Sequence, residues 1–313
     1  DDMTTTTAPY AIAKIRSEFP VLPEAGYLNT GTYGIMPKSA FNNWQDSFVR
    51  FELHGTASKI NFHQLGEEAR QKVAYYLDVQ ADCIAFTRNA TDGINLVLSG
   101  LDWQAGDEVI TSDEEHEAMA YPLFYLQQRR GIRVKRVSVC ADADRMLDRL
   151  ENVRSNRTRL VALSYVTCET GTRLPVKEIC SWAYNRNILS LIDGAQSTGG
   201  FSISLTSIGC DFYASNGHKW LCGPKGTGFF YGKPDSLERL SPAHVGAGSL
   251  EKYDFSTDSG EIFHNARKFE FGTRSYTLPI GLKASFDWYE SIGWENVYHH
   301  IRSLSDYLKA QVR

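Results

Sequence analysis

The chain has 313 residues, of which 42% are hydrophobic and 22% charged, and its formal net charge is −4. Such a chain forms a large domain with a well-buried core and part of a second domain. The negative balance and the lack of a basic run argue against a nucleic-acid partner. No apolar stretch approaches the roughly 20 residues that a membrane helix needs, so we expect no membrane partner.

The cysteines are scattered along the chain without the CxxC spacing of a zinc site. This pattern predicts neither a metal centre nor a disulfide framework and is typical of a reducing compartment. The N-terminus is polar and lacks the apolar core of a signal peptide. We therefore expect a cytoplasmic protein. Most of its cysteines should be small buried side chains, the exception being Cys168, which follows a predicted strand end.

The first predicted region, residues 1–62, is an irregular N-terminal arm with one helix at Lys38–Leu53. A glycine-punctuated loop, Tyr27–Gly34, precedes this helix. A second amphipathic helix is predicted at Gln64–Asp78 from apolar side chains at helical spacing. These side chains are Leu65, Ala69, Val73 and Leu77.

Short apolar strands and helices then alternate. The predicted strands are Ile84–Thr87, Glu108–Thr111, Val134–Val139, Leu160–Tyr165, Ile188–Ile192, Phe212–Ala214 and Gly228–Tyr231. The predicted helices are Asp92–Leu101, Glu117–Arg130, Asp144–Arg154 and Val176–Asn185. This alternation indicates an α/β fold with a mostly parallel seven-stranded sheet covered by helices. Ligands of such sheets bind beyond the carboxyl ends of the strands.

After Thr273 the pattern becomes helical, with predicted helices at Leu278–Ile292 and from Trp294 onward. We expect residues 63–277 to form a large α/β domain that binds the cofactor inferred below. Residues 278–313 are expected to begin a second, smaller C-terminal domain that is only partly present.

Asp193 and Lys219 carry the strongest chemical signal. Asp193 ends an apolar strand before Gly194-Ala195-Gln196, and Lys219 follows His218 in a polar, glycine-rich turn. A lysine can hold an aldehyde as a Schiff base, and a carboxylate can keep a pyridine nitrogen protonated so that the ring absorbs electrons. Together they predict a pyridoxal phosphate (PLP) enzyme acting on an amino acid. Gln196 is placed to donate to the phenolic oxygen of the cofactor.

Further candidates lie at other predicted strand ends. Thr91 starts a helix, where its hydroxyl and the backbone N–H groups can bind phosphate, although a threonine there can also be an ordinary N-cap. His116 could stack over the cofactor ring and pass protons, or simply cap the helix that follows. Asn216 and His218 flank the lysine turn and could donate to phosphate, and Thr273 is one more phosphate candidate.

The motifs Asp193-Gly194-Ala195-Gln196 and Gly217-His218-Lys219-Trp220 lead to a family. From Tyr27 to about Gly293 the chain resembles the class V aminotransferase group of fold-type I PLP enzymes. This group includes cysteine desulfurases, cysteine/cystine C–S lyases and isopenicillin N epimerase-like proteins. The run 100–108 followed by Glu115-His116 is most similar to the C–S lyase branch, and the run 216–222 is also similar to the epimerase-like branch.

The resemblance implies a role for each candidate residue. Lys219 binds the cofactor aldehyde and later moves the α proton, Asp193 pairs with the pyridine nitrogen, and His116 stacks on the ring. The implied phosphate ligands are Ala90, Thr91, Asn216 and His218. The Thr273 position reaches the cofactor of the neighbouring subunit, which implies a homodimer with shared active sites.

Two positions depart from the family pattern. Desulfurases often have serine or threonine where this chain has Asn216, and the Tyr165 position more often holds asparagine or histidine. The family places the desulfurase nucleophile and the arginine for the substrate carboxylate in the C-terminal domain. Neither can be assigned here, and Cys168 does not occupy the position of that nucleophile.

The resemblance implies β-elimination from cysteine, cystine or a related sulfur amino acid, with pyruvate and ammonia as products. Three alternatives stay open. The chain could be a desulfurase that passes sulfur to an acceptor protein, or an epimerase or aminotransferase. It could also be a scaffold without turnover, which the intact Lys219, Asp193 and His116 disfavour.

Overall fold

A seven-stranded sheet organises residues 12–312, which are the residues that the computed structural model describes. Its strands are β1 (Ile84–Thr87), β2 (Glu108–Ser112), β3 (Arg133–Val137), β4 (Thr158–Ser164), β5 (Leu189–Asp193), β6 (Phe212–Asn216) and β7 (Gly228–Gly232). The spatial order is β1-β7-β6-β5-β4-β2-β3, and only β7 runs antiparallel to its neighbours in this sheet. The predicted α/β fold with a mostly parallel sheet is confirmed.

Both faces of the sheet are covered, which explains the nearly continuous apolar runs of the inner strands. In β4, Val161 and Leu163 point into one core cluster, and Leu160 and Ala162 point into the other. All four side chains are fully buried. The edge strand β3 differs, because two of its five residues, Arg133 and Arg136, are exposed and only Val137 is buried. Charged side chains are common on edge strands, where they oppose pairing with another chain.

Eleven α-helices lie within the described residues. They are α1 (Ile12–Ser17), α2 (Lys38–His54), α3 (Phe62–Leu77), α4 (Ala90–Gly100), α5 (Glu117–Arg130), α6 (Ala143–Val153), α7 (Val176–Tyr184), α8 (Leu205–Ile208), α9 (Pro234–Leu237), α10 (Thr277–Ile292) and α11 (Trp294–Gln311). The predicted helices appear with ends shifted by at most a few residues, and the short helices α1, α8 and α9 were not predicted. In this part of the chain no helix is both long and apolar enough to cross a membrane.

Helix α2 packs directly against α10, next to the lysine turn between β6 and β7. A side-chain carbon at Gly281 of α10 would lie 2.7 Å from the Trp44 ring of α2, so the two helices meet closely there. Leu282 and Phe286 of α10 belong to the same core cluster as Ile84 of β1. The division of the chain at residue 278 remains a prediction, and residues 1–11 of the predicted arm lie outside the described residues.

A β-hairpin formed by β8 (Leu250–Asp254) and β9 (Ser259–Ile262) was not predicted from the sequence. Its side chains are almost all exposed, so it lacks the alternation of apolar and polar residues by which a half-buried strand is recognised. The hairpin precedes the segment that carries Thr273.

Candidate active site

A cavity of about 850 Å³ opens beyond the carboxyl ends of the parallel strands. Residues that follow β1, β2, β4, β5 and β6 line it, together with the arm segment Leu28–Tyr33. The cavity brings together all the predicted site residues except Thr273. They are Ala90, Thr91, His116, Asp193, Gln196, Asn216, His218 and Lys219.

Lys219 extends into this cavity from the turn between β6 and β7. No hydrogen bond or ion pair from the described residues reaches its Nζ. Burial lowers the pKa of Lys219 below its usual 10.5, because the charged amine loses water, while the Asp193 carboxylate and Cys168 oppose this shift. A lysine with a lowered pKa and an unpaired amine is a candidate nucleophile and base.

The arm holds one side of the lysine turn. The Gly34 N–H donates to the His218 carbonyl at 2.7 Å. A side-chain carbon at Gly34 would lie 2.0 Å from the Lys219 carbonyl oxygen, so only glycine permits this approach. The Gln196 amide donates to the Gly31 carbonyl at 3.0 Å and accepts from the Trp220 indole at 2.8 Å. One amide hydrogen of Gln196 therefore remains for a ligand.

Helix α10 holds the other side of the turn. The Tyr289 hydroxyl donates to the Trp220 carbonyl at 2.7 Å and lies 3.3 Å from the Cys222 sulfur. The Ser285 hydroxyl donates to the Cys222 carbonyl at 3.1 Å. Cys222 has a φ of 54°, which is unfavourable for a residue with a side chain, and its N–H closes the turn on the Lys219 carbonyl at 3.0 Å. The lysine backbone is thus fixed from two directions.

Asp193 is the last residue of β5 and is only 3% exposed. Its Oδ1 accepts the Ala195 N–H at 2.8 Å, and no hydrogen bond from the described residues reaches Oδ2. Burial raises the pKa of Asp193, although that N–H and Lys219 partly oppose the shift. A nearly buried carboxylate with an unpaired oxygen is a strong acceptor for a cationic N–H group.

His116 caps α5 and also lines the cavity. Its Nδ1 accepts the Ala118 N–H at 3.0 Å, so the hydrogen of the neutral ring is on Nε2. Burial, followed by the charge of Lys219, lowers the pKa of His116 below its usual value. The capping role and the predicted role at the cofactor are therefore compatible.

The end of the cavity near α4 is rich in hydrogen-bond donors. Asn89, rather than Thr91, caps α4, with its Oδ1 accepting the Asp92 N–H at 2.9 Å. The Thr91 hydroxyl and N–H have no partner among the described residues. The Asn216 side-chain oxygen accepts the Ala90 N–H at 2.9 Å, which leaves the Asn216 amide hydrogens for a ligand. These donors suit an anion such as phosphate.

His218 contacts the cavity from the lysine turn. Its Nδ1 lies 3.1 Å from the Thr227 carbonyl, which requires that Nδ1 carries the hydrogen. Burial lowers the pKa of His218, so its Nε2 is an acceptor at neutral pH and a donor only when the ring is protonated. Its predicted phosphate contact stays a prediction.

Three other residues named from the sequence are Thr273, Tyr165 and Cys168, and only Cys168 lines the cavity. Thr273 is exposed and lies outside this cavity, so its predicted contact with a neighbouring subunit stays a prediction. Tyr165 is 6% exposed and packs against Phe201 in the core, so its side chain does not line the cavity. Cys168 is exposed and lines the cavity. Partial loss of water around its thiol raises the pKa of Cys168.

The sequence interpretation gave no role to Glu115. Its carboxylate accepts from the Ser112 hydroxyl at 2.6 Å and from the Ser164 hydroxyl at 2.6 Å. The sequence signal was its position directly before His116, but three acidic residues precede that histidine. Only the backbone shows which of them turns inward.

The arrangement fits PLP. The cavity offers donors for a phosphate at Thr91 and Asn216, and the buried Asp193 carboxylate for a pyridine N–H. The unpaired Lys219 amine lies in the same cavity and could react with the aldehyde of the cofactor. This donor set matches the three polar groups of the cofactor.

Comparisons with known proteins agree with this chemistry. Residues 39–313 match the family described as aminotransferase class-V. A probable cysteine desulfurase from Methanothermobacter thermautotrophicus is 33% identical over 304 residues, covering 95% of this chain and 75% of that protein.

Two solved structures have the same fold. A lysine-to-alanine mutant of C-DES with glycine covalently linked to its PLP cofactor has a TM-score of 0.87 and 30% identity, over 94% of this chain and 79% of that one. The cystine C–S lyase C-DES in complex with its product cysteine persulfide has a TM-score of 0.83 and 31% identity, over 90% and 76%. The chain belongs to the class V aminotransferase family, as its motifs predicted.

Proposed function

We propose that this protein is a PLP-dependent carbon–sulfur lyase that acts on cysteine, cystine or a related sulfur amino acid. The observation that carries the proposal is the unpaired Lys219 amine and the buried Asp193 carboxylate in one cavity. The 31% identity to a cystine C–S lyase supports the choice of substrate. Cysteine and water would give pyruvate, ammonia and hydrogen sulfide. Cystine and water would give pyruvate, ammonia and cysteine persulfide.

The described residues would hold PLP at three points. Thr91 and Asn216 would donate to its phosphate, Asp193 would accept from its pyridine N–H, and the Lys219 amine would face its aldehyde. When bound, PLP supplies the electron sink for the electron pair left on the substrate α-carbon.

Lys219 is the base in this proposal. Burial lowers its pKa, so a larger fraction of its amine is neutral and able to take the α proton from the substrate. Asp193 would keep the pyridine nitrogen protonated, because its carboxylate would accept a hydrogen bond from that N–H group. The Nδ1 of the neutral His116 ring accepts the Ala118 N–H, so the ring hydrogen is on Nε2.

The proposal is tested by mixing the PLP-loaded protein with cysteine, cystine or alanine and measuring pyruvate and sulfide. We expect pyruvate with the sulfur amino acids only, sulfide from cysteine, and persulfide sulfur from cystine. Lys219→Ala should abolish turnover. Lys38→Ala is the control, because the exposed Lys38 does not line the cavity. A visible spectral change with cysteine or cystine but no released sulfur would instead support an epimerase or aminotransferase.

A cysteine desulfurase is the second candidate, because the M. thermautotrophicus relative is named as a probable one. Cys168 lines the cavity, and partial loss of water raises the pKa of its thiol, so less of it is thiolate than in an unperturbed cysteine. Mass spectrometry after turnover would reveal a persulfide on the protein. Sulfide release that depends on an added acceptor protein would support the desulfurase and such a partner.

We also propose a homodimer in which Thr273 reaches the partner's cavity. Thr273 is exposed and lies outside the cavity of its own chain, which supports this placement. Light scattering measures the mass. Mixing Lys219→Ala and Thr273→Ala subunits tests whether the active sites are shared, since one of the two sites in each mixed dimer would regain both residues.

The six free cysteines favour a reducing compartment such as the cytoplasm.

A further inference from the structure

Glu115 turns inward from the loop between β2 and α5 and joins the ends of two strands. Its Oε1 accepts from the hydroxyl of Ser112, the last residue of β2, at 2.6 Å. Its Oε2 accepts from the hydroxyl of Ser164, the last residue of β4, at 2.6 Å. The Ser164 N–H lies 3.1 Å from both carboxylate oxygens.

These contacts connect Glu115 with Asp193 and His116, the two residues that would contact the cofactor ring. Ser164 is paired in register with Asp193, the last residue of β5. The residue that follows Glu115 is His116, which lines the cavity. The loop that carries His116 is therefore fixed to the sheet at the strand end beside Asp193.

The hydrogen bonds need an acceptor at position 115. The Ser164 N–H is a donor that cannot reverse its role, whereas the two serine hydroxyls can rotate. Both serines are nearly buried, so an apolar side chain at position 115 would leave donors without a partner. On its other side His116 is held by α5, since its ring accepts the Ala118 N–H and its carbonyl accepts two further N–H groups, so the bonds of Glu115 fix the loop that leads into this helix terminus.

We propose that Glu115 is a positioning residue that holds His116 beside Asp193 and so shapes the PLP site. The inference rests on the PLP site of the proposed function and adds a residue that does not touch the substrate. Burial, and to a smaller extent the charge of Asp193, raises the pKa of Glu115, which agrees with its enclosed position.

The test uses variants of matched size in the full chain. Glu115→Met keeps the length of the side chain and removes the acceptors. Glu115→Gln keeps one acceptor for the Ser164 N–H. Glu114→Gln is the control, because among residues 12–312 the neighbouring Glu114 carboxylate accepts only from Thr170, at 2.6 Å, and it does not line the cavity. The readouts are the dissociation constant for PLP and the visible circular dichroism of bound PLP, which reports the surroundings of its ring.

We expect E115M to weaken PLP binding about tenfold or more and to change the circular dichroism, and E115Q to retain most of both. E114Q should match the unsubstituted protein. Ser112→Ala removes one of the donors to Glu115 and lies outside the cavity, so it should change the circular dichroism of bound PLP less than E115M does. It replaces E115M in the test if E115M does not fold. Equal binding and spectra for E115M and the unsubstituted protein would overturn the proposal, as would equal losses in E115M and E115Q.

The two proposals can fail separately. A protein that binds PLP but releases no sulfur would overturn the lyase proposal and leave the comparison of E115M with E115Q valid. An active lyase with unchanged PLP spectra in E115M would overturn the role of Glu115 alone.

Discussion

The Asn216 side-chain oxygen accepts the backbone N–H of Ala90 at 2.9 Å. This bond joins the end of β6 to the first turn of α4, two elements that are far apart in the sequence. It explains how an asparagine can occupy a position where desulfurases often have serine or threonine. Asn216 orients the helix terminus with its oxygen and offers its amide hydrogens to the cavity.

Asn216→Ala is therefore expected to weaken PLP binding about tenfold or more, since it removes a donor and frees the α4 terminus. Titration of the cofactor-free protein with PLP, followed by visible absorbance, measures the effect. Asn95→Ala is the control, because Asn95 lies on the exposed side of α4 and donates to the Thr91 carbonyl at 2.9 Å. Equal affinities for the two variants would contradict this role.

The pH at which Lys219 becomes reactive gives a second prediction. Burial favours the neutral amine, so in the cofactor-free protein the labelling of Lys219 by an amine reagent should rise with pH through a midpoint below 10.5. Asp193→Asn should move the midpoint lower still, because the Asp193 charge stabilises the protonated amine. Mass spectrometry of the labelled peptides measures both midpoints, with the exposed Lys38 as an internal reference. A midpoint at or above 10.5 would contradict the prediction.

Much of this site could be predicted because its residues stand at strand ends. Asp193 and Asn216 are the last residues of β5 and β6, and the apolar runs before them are visible in the sequence. Parallel strands bring such ends to one edge of the sheet. The side chains at that edge therefore meet even when the chain between them is long.

The rest depends on contacts that no local pattern encodes. The inward turn of Glu115, rather than Glu114, is set by backbone geometry. The hairpin of β8 and β9 lacks apolar alternation because it is exposed. The contact from Tyr289 to the lysine turn spans 69 residues. Thr273 is exposed and does not line the cavity of its own chain, so its predicted contact needs a second copy of the chain.

Tyr289→Phe tests the support of the lysine turn from α10. We expect slower covalent capture of PLP by Lys219, since the Trp220 carbonyl loses its hydrogen bond and the turn contains the unfavourable φ of Cys222. Tyr298→Phe removes a hydroxyl from the same aromatic cluster, where it contacts Tyr76 and not the turn. The rate of absorbance change after PLP addition compares the variants. Similar rates would show that α10 does not position Lys219.

Arg70 and Glu270 form a buried ion pair beside the segment that leads to Thr273. Arg70 donates to both Glu270 oxygens, at 2.8 and 2.9 Å, and both side chains are nearly buried. The Phe86 N–H also donates to Glu270 at 2.7 Å, and Arg274 pairs with it. The pair thus fixes the segment that leads to Thr273 against β1.

Glu270→Ala should lower the free energy of unfolding by about 3–5 kcal/mol, because it leaves the Arg70 charge buried without its main partner. Urea unfolding followed by fluorescence measures the loss. Arg154→Ala breaks the more exposed pair with Glu151 and should leave the urea midpoint almost unchanged. A Glu270→Ala protein as stable as Arg154→Ala would show that the charge of Arg70 is satisfied by Glu67 and the Ile84 carbonyl alone.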